Sequence, residues 1–126
     1  MKLEDLKIYQ QSHRLAVEIH RMTLTLPAFE MYEEGSQIRR SSKSVAAQIV
    51  EGYSLRSYKN EYLHYLNRAY ASCRETKEHL DLLFETKSLK DQMANEQLSQ
   101  NILELIKMLY AFTNTATKSH QTFKQK

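Results

Sequence analysis

Two Glu–His pairs are the first residues whose types and spacing could do chemistry. A carboxylate-bridged di-metal centre in a helical bundle takes Glu-x-x-His from each of two helices and a further Glu from each of the other two. Glu61-x-x-His64 has that spacing, but Glu75 and His79 stand four apart and no second Glu-x-x-His exists. One motif supplies too few ligands, so no metal and no other cofactor is expected. Cys73 is the single cysteine, and it falls on an apolar line between Leu66 and Leu80. A thiol buried there is held protonated and inert, which makes it a core residue rather than a nucleophile. With only two glycines, the chain can form neither a phosphate-cradling loop nor a dinucleotide-binding turn. Catalytic residues are therefore not expected, and no small-molecule substrate follows from the motifs.

What is left is chemistry of contact. Between residues 35 and 60 the cations Arg39, Arg40, Lys43, Arg56 and Lys59 face one acid, Glu51. Residues 61–117 carry six cations and eight acids, so positive charge is concentrated in this stretch of a chain whose net charge is +3. Such a face can hold a nucleic-acid backbone without reading its sequence, or it can simply be solvated. Tyr53, Tyr58, Tyr62 and Tyr65 lie among Arg56, Lys59 and Arg68. They could stack bases, but Tyr58, Tyr62 and Tyr65 also share one helical face, which favours packing. A third line, Gln37, Ser41, Ser44, Gln48 and Glu51, steps by four and three. Polar residues on such a line suit a hydrogen-bonded seam that sets register or assembly, the alternative being a stripe facing solvent.

These residues must be positioned by helices. The chain has 126 residues, enough for one domain with its own core. Apolar residues recur at steps of four and three in four segments. The lines are Ile8, Leu15, Ile19, Met22 and Leu26; Ile38, Val45 and Ile49; Leu66, Cys73 and Leu80; and Leu98, Ile102, Leu105, Leu109, Phe112 and Ala116. Ser12 and Ser42 fill the gaps in the first two. This period places each line on one face of an α-helix, and no stretch alternates as a strand would. Pro27 closes the first helix. Ser36 is an expected N-cap for the second and Gly52 a left-handed stop. Ser57 is an expected N-cap for the third helix and Asp91 for the fourth. The expected fold is all-α, a single antiparallel up-down-up-down four-helix bundle with helices at roughly 5–26, 34–52, 57–87 and 91–118 and a frayed tail at 119–126.

The order of these features resembles a family. Glu30 and Tyr32 follow the first helix, then comes "SQIRRSSKSVAAQIVEG", then "KNEYLHYLNRAYASCRETKEHLDLL". Over about residues 3–112 the chain is similar to the small proteins encoded by intervening sequences inside bacterial 23S ribosomal RNA genes. More distantly it resembles the accessory protein of diversity-generating retroelements. Gln37, Ile38, Arg39, Arg40, Ser44, Ile49, Glu51, Gly52, Ser72 and Glu75 carry the match. Gln48 stands where the family usually has Asn, Val50 where Ala is common, and Cys73 and Arg74 in a stretch often more apolar. The resemblance implies a four-helix protomer assembled into a homopentameric ring, with a proposed nucleic-acid-binding role and no catalytic activity. The family name records gene location, so it does not itself imply RNA as the partner.

The composition fits an ordinary globular chain, 41% hydrophobic and 26% charged. One cysteine suits a reducing cytoplasm, the expected compartment. No apolar run is long enough to span a bilayer, so no membrane contact is expected. Two functions stand at this point. One is a non-enzymatic ring that binds RNA or DNA through its summed basic faces. The other is a structural scaffold that binds another protein and leaves that face to water.

Overall fold

A computed structural model describes the backbone of residues 1–124 and the side chains of residues 1–119. Four helices form an all-α, up-down-up-down bundle: α1 (Lys7–Thr23), α2 (Glu34–Ser54), α3 (Lys59–Glu85) and α4 (Gln92–Lys124). Short 3₁₀ turns precede α1 at Leu3–Asp5 and α2 at Ala28–Tyr32. Each helix packs on its neighbours in sequence, and α4 closes the ring on α1.

The apolar lines enter the core. Ile8, Leu15, Ile19 and Met22 are buried on α1, and Ile38, Val45 and Ile49 on α2. Leu66, Cys73 and Leu80 are buried on α3, and Leu98, Ile102, Leu105 and Leu109 on α4. Full burial of each large aliphatic side chain contributes about 1.5–3 kcal/mol. Ser12 and Ser42, which interrupt the lines, are buried because their hydroxyls donate to the carbonyls of Tyr9 and Arg39 one turn back, at 3.0 and 3.2 Å. The residues beside the α3 line are buried unevenly. Ala69 and Leu83 are fully buried, whereas Leu63, Tyr70 and Phe84 are half-buried.

Several helix ends differ from expectation, each for a local reason. α1 stops at Thr23, before Pro27, as the backbone tightens to i→i−3 bonding, the Leu24 amide donating to the Arg21 carbonyl at 3.1 Å and the Thr25 amide to the Met22 carbonyl at 3.0 Å. Pro27 instead starts the next 3₁₀ turn, its carbonyl accepting from the Glu30 amide at 3.0 Å. α2 begins at Glu34, so Ser36 lies inside the helix and caps nothing. α3 begins at Lys59 after Tyr58, and Ser57 makes no cap bond. Asp91 does cap α4, accepting from the Ala94 amide at 3.1 Å. The left-handed turn after α3 is taken by Lys87 (φ 68°), and neither glycine has positive φ. α4 runs to Lys124, through most of the expected tail; residues 125 and 126 lie outside the described residues.

Gly52 is helical and earns its place by proximity. A Cβ there would stand 3.0 Å from the Tyr65 Cβ, so α2 and α3 approach closely at this level. Gly35 is tighter still, with a Cβ 2.4 Å from the Glu30 carbonyl oxygen. Glu30 is buried beneath it. Its carboxylate accepts from the Gly35 amide at 3.2 Å and from the Ser88 hydroxyl at 2.5 Å. One side chain thereby ties the start of α2 to the α3–α4 turn.

Candidate functional site

α2 divides into three faces, and the site residues fall on two of them. The inward face carries Ile38, Ser42, Val45 and Ile49. The face toward α3 is polar. Thr76 Oγ1 donates to Ser41 Oγ at 2.9 Å, and Ser44 and Ser72 share a hydroxyl bond at 3.0 Å. Farther along, Tyr65 donates to Glu51, whose negative charge, and then the bond itself, raise the phenol above its ordinary value. At the opposite end His79 lies between Glu34 and Glu75, its two ring nitrogens 2.7 and 3.0 Å from carboxylate oxygens. Both contacts gain a donor only when both nitrogens carry protons. Rising positions on α2 meet falling positions on α3, which is the antiparallel register.

Of the expected seam residues, Ser44 is therefore paired within the chain, and Glu51 is exposed with Tyr65 bonded to it. Gln48 Oε1 is buried with no hydrogen-bond partner among the described residues, and Gln37 is exposed. Sequence reasoning missed the α3 half of the seam. Thr76 is wholly buried yet polar, and its position on the Cys73 side of α3 gave only a weak signal.

The five cations do not form one patch. Arg40 and Lys43 are exposed on the outward face of α2, with no carboxylate partner among the described residues. Arg39 does not lean outward with them. It is half-buried and donates through its guanidinium to the Met31 carbonyl at 2.7 Å, fastening the 3₁₀ turn to α2. Arg56 and Lys59 sit beyond the far end of α2. At about 1.5 Å per residue, roughly 21 Å separates the Arg40 and Ser54 levels of the helix. Arg56 lies over the Tyr53 ring, 4.1 Å from its centroid, and donates to the Tyr53 carbonyl at 2.9 Å. The neighbouring tyrosines diverge too. Tyr62 and Tyr65 are half-buried against the Gly52 level of α2, while Tyr58 is 66% exposed and packs little.

The other candidate chemistry is placed as follows. Cys73 is fully buried, and desolvation pushes its thiol up to about 12. Its sulfur faces the Ile102 carbonyl at 3.8 Å. Glu61 and His64 are exposed. Among the described residues no three His, Cys, Asp or Glu side chains gather to hold a metal ion, and no helix is long and apolar enough to cross a membrane.

The family model described as 23S rRNA-intervening sequence protein matches residues 4–111. No curated protein matches the chain. Among solved structures, a protein of unknown function from the S23 ribosomal protein family of Bacteroides thetaiotaomicron superposes with a TM-score of 0.77 at 25% identity. That match covers 85% of this chain and 95% of the other.

Proposed function

The chain belongs to the 23S rRNA-intervening sequence protein family, and from that premise we propose that it is a non-enzymatic, self-assembling protein that binds nucleic acid through the outward face of α2. The observation that carries the reading is the exposed pair Arg40 and Lys43, left without a carboxylate among the described residues on a helix otherwise committed to the core and to α3. Two cations per chain bind a phosphate backbone weakly. Copies arranged in a ring, as the family resemblance suggests, present the same pair several times to one polymer, which raises avidity without any new contact. The exposed seam residues Gln37 and Glu51 lie beside this face and are available for contact between copies.

Arg39 contributes to the interface indirectly, because its bond to Met31 sets the turn that leads into α2. The test therefore spares it. In gel retardation with RNA and DNA at several salt concentrations, affinity should fall steeply with salt. The double variant Arg40→Ala, Lys43→Ala should lower the slope of log affinity against log salt by about one for each contacting cation removed, with the helical content unchanged. If no RNA or DNA is retarded at low salt, the nucleic-acid reading is wrong and the scaffold reading takes its place.

A further inference from the structure

The ends of α2, α3 and α4 meet the N-terminal segment around an open cleft of about 520 Å³. Its walls include three aromatic rings, Tyr53, Tyr62 and Phe112, with Met1 beside them, Arg56 at the rim and Thr115 on α4. The Tyr53 hydroxyl donates to the Met1 carbonyl, which fixes the ring against the N-terminal segment. Burial raises the Tyr62 phenol above its ordinary value, as does Tyr53, while Arg56 opposes the rise. Among the described residues no acidic side chain lines the cleft. The volume lies within the roughly 300–1,000 Å³ common to small-ligand sites.

We propose that this cleft receives one unstacked base of a single-stranded nucleic acid, with Arg56 meeting the adjoining phosphate. Aromatic faces stack on any base, and a guanidinium plane over a tyrosine extends such a stack. Arg56 already lies over Tyr53 at 4.1 Å, and its bond to the Tyr53 carbonyl uses one of the five N–H donors of a guanidinium. An aliphatic ligand would gain nothing from the charge, and a cationic one would be repelled by it. A duplex keeps its bases stacked and out of reach, so the cleft serves single strands only. The inference rests on the nucleic-acid reading of the chain but uses different residues from the Arg40 and Lys43 face.

The experiment compares a ten-nucleotide oligo(U), the matching oligo(dT) and a ten-base-pair duplex by fluorescence anisotropy at low salt. Two charge-conserving variants are used, Phe112→Leu and Arg56→Lys, each with a melting curve to confirm that it folds. Both should weaken single-strand binding about tenfold, in keeping with the loss of one stacked base, and leave duplex binding within about twofold of the parent. The difference between the U and dT arms identifies RNA or DNA as the source of the base. Duplex and single strands bound equally, with both variants like the parent, would overturn the cleft and leave the α2 interface standing. Single-strand binding that is lost in both variants but indifferent to Arg40→Ala, Lys43→Ala would support the cleft and overturn the α2 interface. No binding of any of the three probes would overturn both.

Discussion

At the scale of single residues, position decides what each chemical group can do. Arg39 and Arg40 are adjacent and identical, yet one bonds the Met31 carbonyl and the other is exposed. A 100° turn of the helix separates a structural cation from one open to a partner. Cys73 shows the same dependence. Its thiol has the chemistry of a nucleophile, but complete burial holds it protonated, with a pKa near 12 against an ordinary 9.0. The unfolded thiol ionises first as pH rises, so this group favours folding fully below about pH 9 and the benefit is lost on the way to 12. Urea denaturation at about pH 10.5 should therefore show the parent losing on the order of 2 kcal/mol more, relative to neutral pH, than Cys73→Ala does. Equal losses in the two proteins would remove ionisation of Cys73 from the account.

Among the elements, α2 carries the most information. It must bury one face, hydrogen-bond a second to α3 and leave a third free, and its two glycines let it approach its neighbours closely. They are not equivalent. An added methyl at Gly35 meets a backbone oxygen at 2.4 Å, which cannot move without shifting the 3₁₀ turn. At Gly52 it meets the Tyr65 Cβ at 3.0 Å, where a small separation of α2 and α3 relieves it. Alanine improves helix propensity by up to about 1 kcal/mol at either site. Gly35→Ala should still destabilise by about 1–3 kcal/mol through overpacking, whereas Gly52→Ala should fall within about 1 kcal/mol of the parent. Thermal melts of the two variants side by side decide the matter, and a Gly35→Ala protein as stable as Gly52→Ala contradicts the packing argument.

For the whole molecule, the important quantity is what the four helices leave uncovered. Leu24, Phe29, Met31 and Tyr32 are all more than half exposed around the α1–α2 connection, and Leu103 and Tyr110 stand out from α4. The four large apolar groups exposed together at that connection suit contact between copies. Native mass spectrometry at micromolar concentration should give a closed assembly, five times the 14.9 kDa chain mass if the family resemblance holds in number. Phe29→Glu with Tyr32→Glu should reduce it toward the single chain while the melting temperature of the fold changes little, since both side chains already face water. A parent protein that measures as a single chain would dispose of the ring and, with it, the avidity on which two cations per copy depend.

The periodicity of apolar residues was sufficient to determine four helices, their inward faces and the bundle, because a 3-4 repeat has one economical way to be buried. It also sorted α2 into apolar, polar and cationic lines. It could not show that the Ser41–Ser44 line meets Thr76 and Ser72, that Glu30 and Ser88 close the end of the bundle, or that His79 stands between two carboxylates. Apart from the i,i+4 pair of Glu75 and His79, those pairs join positions 28 to 58 residues apart, and a one-dimensional pattern carries no term for which helix faces which. Helix ends were misplaced for the same reason. Gly52 suggested a stop by its type, and only the proximity of Tyr65 shows that its missing side chain makes room for a neighbour. The cations illustrate the limit most plainly. Arg39, Arg40, Lys43, Arg56 and Lys59 are consecutive cations in the chain, but a turn of about 100° per residue separates the first three around α2, and the last two lie beyond its end, in the link and at the start of α3. Tertiary structure decided which of them bond within the fold and which stand exposed.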